Sequence, residues 1–118
     1  MNKLDIIDTA FSIEQAGGNE ALAKELFGML LKELPELSEK LNNAITDNNL
    51  EAMWDHAHKM YGSTAYCGIP ALRATLQSLE SAIKEQDLDK ITYEFEITKQ
   101  EIERLLAIGE NCLQEPWE

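Results

Sequence analysis

The sequence contains few of the residues that interrupt helices. Among 118 residues there are 3 prolines and 6 glycines, and the apolar residues are mainly leucine, isoleucine, alanine and methionine. This composition favours helices over turn-rich folds. A chain of this length suits one domain, so we expect residues 1–118 to form a single all-α domain.

Positive charge is also scarce. Lysine and arginine together number 10 against 22 acidic residues, which gives a formal net charge of −12. Proteins that neutralise nucleic-acid phosphates need a basic face, and anionic membranes attract basic segments. The charge balance therefore excludes nucleic acid and membrane surfaces as expected partners and leaves proteins or small molecules.

Cysteine and long apolar runs are the next absences. The two cysteines, Cys67 and Cys112, lie far apart in the sequence, which argues against a disulfide framework and favours a reducing cytoplasm. No segment approaches the roughly 20 apolar residues of a membrane span, and the N-terminal stretch MNKLDIIDTAF is not typical of a signal peptide. We expect a cytoplasmic domain, either free-standing or the cytoplasmic end of a membrane-bound protein.

Motifs for nucleotide chemistry are missing as well. The chain has no GxxxxGK[ST] phosphate loop and no kinase glycine loop with a downstream HRD or DFG. No catalytic triad, pair of acids or cofactor loop is apparent. The chain is therefore not expected to be an enzyme on its own or to bind ATP.

What the sequence does contain is a short N-terminal helical segment followed by four longer ones. Gly17-Gly18 ends the short segment, and Asn19 is the predicted N-cap of the second. Pro35 predicts a kink or a break inside the second segment, and Pro70 suits the first turn of the fourth. Because the connections are short, we predict an antiparallel up-and-down four-helix bundle with the N-terminal helix covering one end.

The expected core follows apolar residues in steps of three and four, which are typical of amphipathic helices. The third segment is predicted from about Leu50 to Tyr66. The other core positions are Leu4, Ile7, Phe11 and Ile13 in the first segment; Leu22, Leu26, Leu30, Leu34, Leu37, Leu41 and Ile45 in the second; Leu72, Leu76, Leu79 and Ile83 in the fourth; and Leu88, Ile91, Phe95, Thr98, Ile102 and Leu105 in the fifth.

Both histidines of the chain lie in the third segment. A helix turns about 100° per residue, which places His58 and Gly62 together on the outer face. A glycine there costs roughly 1 kcal/mol against alanine, and it removes the side chain that would stand over the imidazole. Two interpretations stay open: a glycine tolerated beside a surface histidine, or a histidine left open to a large partner.

An exposed histidine is largely neutral near pH 7 and can act as a nucleophile toward a phosphoryl centre. Because the chain lacks an ATP site, the phosphoryl group would come from another domain. A metal site is not expected, since His56 and His58 diverge by about 200° on a helix and zinc needs further ligands. His56 is interpreted as a bystander, and Trp54 as a packing residue or part of a docking patch.

The residues from His58 onward resemble the histidine phosphotransfer (HPt) domain family. The motif consists of His58-Lys59-Met60-Tyr61-Gly62-Ser63, then Ala65, Gly68, Leu72 and Leu79-Glu80. Further stretches resemble the C-terminal HPt module of BarA-type hybrid sensor kinases, so the resemblance covers nearly the whole chain. These stretches are Ile7-Asp8, Ala10, Ala16-Gly17-Gly18-Asn19, Met29-Leu30-Leu31 and Leu34-Pro35. In this family the histidine stands on the second helix of a four-helix bundle.

The resemblance implies a phosphorelay role. Such domains accept a phosphoryl group from a receiver-domain aspartate and pass it to another receiver, which supplies the Mg²⁺. The chain would then have no cofactor or metal of its own, and would meet receiver domains of a hybrid kinase or response regulator as a monomer. By position, His58 would be the phosphoacceptor, and Gly62 would give access to it.

The same resemblance assigns supporting roles to four further residues. Lys59 would neutralise phosphate charge, and Ser63 would orient the imidazole through a local hydrogen bond. Glu80 would lie near the histidine from the neighbouring helix, with Lys84 as a nearby positive charge.

Tyr61 departs from the lysine that is common three residues after the histidine. Its ring is expected at the edge of the core with the hydroxyl reaching solvent, which leaves phosphate neutralisation more to Lys59. The alternative function is a helical interaction module that binds a receiver without being phosphorylated, and the transfer rate would separate the two.

Overall fold

Five helices form the secondary structure of the computed structural model, which describes residues 5–117. They are α1 (Thr9–Gln15), α2 (Glu20–Thr46), α3 (Leu50–Ser63), α4 (Pro70–Glu85) and α5 (Leu88–Gln114), and this range contains no strand. α2 packs against α3 and α5, α3 against α4, and α4 against α5. The four long helices thus form a closed ring joined by short connections, which confirms the predicted antiparallel bundle. The predicted core residue Leu4 lies outside the described residues.

The ends of the helices follow from local side-chain chemistry. The Asn19 side chain accepts a hydrogen bond from the backbone N–H of Leu22 at 3.0 Å, which confirms the predicted N-cap of α2. Gly17 and Gly18 have φ values of +71° and +87°, a region that glycine adopts without steric cost. Pro70 occupies the first turn of α4 as predicted.

α1 is fastened to the connection between α3 and α4. The backbone N–H of Asp8 donates to the carbonyl of Gly68 at 2.7 Å. The Ser12 hydroxyl accepts a hydrogen bond from the N–H of Gly68 at 2.8 Å and donates to the carbonyl of Asp8. These bonds hold the short helix over one end of the bundle, where the sequence predicted it.

The core lies along the inner stripes of the four long helices. Its fully buried side chains include Phe27, Leu34, Leu41, Met53, Met60, Leu76, Leu79, Ile91, Thr98 and Leu105. Leu22 and Leu88 were predicted to belong to it but are 40% and 45% exposed. Both stand in the first turn of their helices, where side chains lean toward the N-terminus and past the packed core. None of the helices within residues 5–117 is long and apolar enough to cross a membrane.

One of the two outcomes predicted at Pro35, a break, does not occur. α2 is a single helix through Pro35, because Leu34 and Leu37 are buried on either side of the exposed proline and their packing outweighs one lost hydrogen bond. α3 ends at Ser63, three residues before the predicted end at Tyr66. There the N–H of Thr64 bonds to the carbonyl of Tyr61, a tightened last turn that closes the helix.

Candidate functional site

His58 stands on the outer face of α3, beside α4. Met53, Ala57 and Met60 point into the core of the bundle and are fully buried. His58 therefore faces outward, as the rotation of about 100° per residue predicts. The side chain of His58 is 58% exposed. A partner can therefore reach the imidazole.

Glu80 fixes one edge of the imidazole. Its Oε2 lies 2.7 Å from Nδ1 of His58, and its side chain is only 12% exposed. An ionised carboxylate can only accept a hydrogen bond, so Nδ1 is the donor. In the neutral ring, Nε2 then carries the lone pair, and no hydrogen-bond partner for it is found among the described residues. The structure thus brings Glu80 to His58, as the sequence predicted.

Gly62 leaves open space one turn beyond His58. The residue is exposed, and a Cβ built on its backbone would meet no atom within 4 Å. Nothing in the packing of the domain itself therefore requires glycine at this position. Because glycine has no side chain, nothing projects from the helix surface next to the imidazole, and a large partner can approach it closely.

Trp54 covers one face of the imidazole. The indole and imidazole rings lie nearly parallel, with an interplanar angle of 14° and centroids 5.0 Å apart. The Nζ of Lys84 stands over the indole, 5.2 Å from its centroid. Sequence reasoning missed this stack, although residues four apart on a helix are neighbours and the spacing of Trp54 and His58 could have indicated it.

Tyr61 is held by α4 on the other side of His58. The Arg73 guanidinium lies 4.7 Å from the centroid of its ring and donates to the Thr64 hydroxyl at 2.8 Å. The phenol oxygen of Tyr61 accepts a hydrogen bond from Gln77. The ring is half-buried at the edge of the core, where the helical wheel placed it. Arg73 was not singled out from the sequence, because its place beside α3 depends on how the two helices pack.

The expected hydrogen bond from Ser63 to the imidazole is not formed. Ser63 is buried, and its hydroxyl donates to the carbonyl of Met60 at 2.6 Å. It satisfies one of the last carbonyls of α3, which otherwise lack partners. Lys59 is exposed and forms no ion pair among residues 5–117, and Lys84 contacts Trp54 instead of the imidazole.

His56 is half-buried on the other flank of α3, and no hydrogen bond or ring stacking in the described structure links it to His58. Among residues 5–117 there is also no group of three or more side chains that could hold a metal ion. The polar groups of the site converge on one histidine, His58.

The thiols are poor rival nucleophiles. Burial raises the pKa of the Cys67 thiol to about 11, and burial, followed by the charge of Glu115, also raises the pKa of the half-buried Cys112 thiol. The thiolate is the reactive form of cysteine, so both side chains remain protonated and unreactive near neutral pH.

Comparison with known proteins assigns this arrangement to a family. Residues 25–108 match the Hpt domain family. The solved HPT domain from an Hpt sensor hybrid histidine kinase of Shewanella superposes with a TM-score of 0.83 and 29% identity, over 92% of this chain and 94% of that one.

Two curated relatives are sensor kinases. The signal transduction histidine-protein kinase BarA of Escherichia coli is 34% identical over 87 residues, and sensor histidine kinase GacS of Pseudomonas protegens is 33% identical over 85 residues. These matches cover 70% and 72% of this chain but only 10% and 9% of the relatives. The chain, with its match over residues 25–108, belongs to the Hpt domain family, the histidine phosphotransfer modules of two-component signalling.

Proposed function

We propose that His58 is the residue that accepts the phosphoryl group. The observation that supports this is the exposed imidazole whose Nδ1 is bonded to Glu80 at 2.7 Å. No hydrogen-bond partner for Nε2 is found among the described residues, and the glycine one turn further along the helix, Gly62, has no neighbouring atom where a Cβ would stand. The other nucleophiles compete poorly, because within residues 5–117 His56 has no hydrogen-bond or ion-pair partner that would orient it, and the cysteines are protonated. His58 combines exposure with a defined tautomer.

The proposed step is an attack by the Nε2 lone pair on the phosphorus of a phosphoaspartate. A nitrogen–phosphorus bond forms as the bond between phosphorus and the aspartate oxygen breaks, and the aspartate leaves as a carboxylate. The imidazole gains positive charge as it loses its lone pair. Glu80, whose carboxylate holds Nδ1–H, stabilises that charge in the way a carboxylate supports a catalytic imidazolium. The reverse sequence passes the phosphoryl group to a second aspartate.

The partners we propose are receiver domains of a hybrid kinase or a response regulator. Much of phosphoryl transfer consists of positioning and charge neutralisation. We propose that the receiver supplies Mg²⁺ and that the exposed side chain of Lys59 adds positive charge next to His58. A cytoplasmic location is proposed from the two cysteines, which are free thiols; a place within a longer hybrid kinase is proposed from the two kinases of which this chain spans about a tenth.

The test is phosphotransfer from a receiver domain carrying a labelled phosphoryl group. We expect the wild-type domain to become labelled with acid-labile, base-stable phosphate, H58Q to remain unlabelled, and H56Q to be labelled at the wild-type rate. H56Q is the matched control, because it removes the neighbouring histidine from the same helix. Labelling of H58Q would refute the assignment. Receiver binding without labelling of the wild-type domain would instead support the interaction module.

A further inference from the structure

Three contacts link four side chains on α3 and α4. Trp54 and His58 are four residues apart on α3, and Glu80 and Lys84 are four residues apart on α4. Trp54 stacks on His58, His58 bonds to Glu80, and Lys84 lies over Trp54. Glu80 and Lys84 themselves form no ion pair in the described structure.

The missing ion pair sets Glu80 and Lys84 apart from the two other glutamate–lysine pairs with the same spacing. A glutamate followed four residues later by a lysine is the favourable spacing for an ion pair on a helix. Two other pairs with this spacing do form, Glu20 with Lys24 at 3.3 Å and Glu36 with Lys40 at 3.1 Å. Lys84 has the same relation to Glu80 but is held over the indole of Trp54, 5.2 Å from its centroid.

We propose that Trp54 is a positioning residue for His58, an inference that rests on the proposed phosphoacceptor role. Its indole limits the rotation of the imidazole by stacking on one face. By attracting the ammonium of Lys84 to its own face, it also keeps Lys84 from pairing with Glu80. The carboxylate of Glu80 therefore remains available to Nδ1 of His58, and Nε2 keeps the lone pair.

The second part of this proposal follows from competition for one carboxylate. A free lysine ammonium four residues away carries a full charge, whereas a neutral imidazole offers Glu80 only an N–H group. Hydrogen bonds in which both partners are charged are the stronger ones. Without Trp54, Lys84 would therefore displace the imidazole from Glu80 in part of the molecules. The imidazole would then lose its fixed tautomer and its fixed orientation.

The test measures the tautomer of His58 in the unphosphorylated domain by ¹⁵N NMR at a pH where the ring is neutral. We expect the Nδ1–H tautomer to dominate in the wild type and in W54F, which keeps an aromatic face. In W54L the Nε2–H tautomer should become populated, and the double variant W54L/K84Q should return toward the wild-type ratio. K84Q alone should leave the ratio unchanged.

Transfer from a phosphorylated receiver is the second readout. We expect the rate at saturating receiver to fall by about tenfold in W54L, as misplaced reacting groups commonly cause, and to recover in W54F. A wild-type tautomer ratio in W54L would overturn the proposal, and so would a double variant that shows no return. Because K84Q changes an exposed side chain, it keeps the domain folded even if W54L does not. A shift toward Nε2–H in K84Q would also overturn the proposal.

The two proposals can fail separately. The tautomer measurement needs no phosphoryl donor, so it reports on Trp54 even if no receiver labels the domain. If the tautomer ratios follow expectation while H58Q is still labelled, the phosphoacceptor assignment fails and the positioning of the imidazole stands. If H58Q is unlabelled but W54L keeps both the wild-type tautomer ratio and the wild-type transfer rate, the phosphoacceptor assignment stands and the positioning role of Trp54 fails.

Discussion

At the scale of single residues, the packing of the free domain does not explain why residue 62 is a glycine. In most of the chain a residue type can be understood from what it touches, but a Cβ at this position would touch nothing. An exposed glycine inside a helix also lowers stability by roughly 1 kcal/mol relative to alanine. A residue that costs stability and makes no contact is best explained by a partner that approaches closely.

This explanation predicts opposite effects of Gly62 substitutions on stability and on transfer. We expect G62A to stabilise the domain by about 1 kcal/mol because alanine is the better helix former. G62L should also fold, but phosphoryl transfer should slow by about tenfold or more because the leucine side chain blocks the imidazole. Urea unfolding and transfer assays measure the two effects.

Gly28 provides the matched control for Gly62. It also lies within a helix, and a Cβ there would make only an ordinary contact with Leu113 at 3.7 Å. G28A should raise the free energy of unfolding by a similar amount while the transfer rate stays at the wild-type value. Unchanged transfer in G62L would contradict the access role of Gly62.

At the scale of elements, the site depends on the side-by-side packing of α3 and α4. Three side chains of α3 at the site have partners on α4: Trp54 meets Lys84, His58 meets Glu80, and Tyr61 meets Arg73 and Gln77. The register between the two helices is therefore what aligns the site. That register depends on the connection between them, which α1 fastens through Gly68.

Gly68 is accordingly predicted to be intolerant of substitution. A Cβ on this residue would collide with the carbonyl oxygen of Asp8 and press against the Ser12 hydroxyl. We expect G68A to lower the free energy of unfolding by about 1–3 kcal/mol, the usual cost of overpacking. It should also weaken transfer, because α1 can no longer hold the connection. G62A is the matched glycine-to-alanine control, and urea unfolding curves for both variants would show whether Gly68 alone is sensitive.

At the scale of the whole molecule, acidic charge dominates. The formal net charge is −12, while the site itself holds cations on aromatic rings, Arg73 on Tyr61 and Lys84 on Trp54. A cation that lies over a neutral aromatic ring is not neutralised by a carboxylate, so its charge can still act on a binding partner. The site thus carries positive charge on a molecule that is strongly acidic as a whole.

The excess of acidic charge predicts a salt-dependent stability. Like charges destabilise a compact state, and salt screens them over about 10 Å at 0.1 M ionic strength. We expect the thermal midpoint to rise by a few degrees between low salt and about 0.5 M sodium chloride, since about 1 kcal/mol shifts the midpoint of such a domain by several degrees. Potassium chloride should act equally. A midpoint that falls with salt would show that ion pairs contribute more than repulsion.

The sequence by itself determined the helices, their inward faces and the exposure of His58 beside Gly62. These features depend on residues three and four apart on one helix, so a periodic pattern is enough to predict them. It also indicated the family, through a motif that runs from His58 to Glu80.

Only the tertiary structure decided which side chains meet across helices. It joined Glu80 to Nδ1 of His58 and placed Lys84 over Trp54. Within α3, it paired the Ser63 hydroxyl with the carbonyl of Met60 instead of the imidazole. It also kept α2 continuous through Pro35. Contacts between helices depend on crossing geometry and on competition among nearby partners, neither of which has a period along the chain. The exposed His58–Gly62 pair is therefore set by spacing along one helix, while the contacts that orient the imidazole are set by how the helices pack.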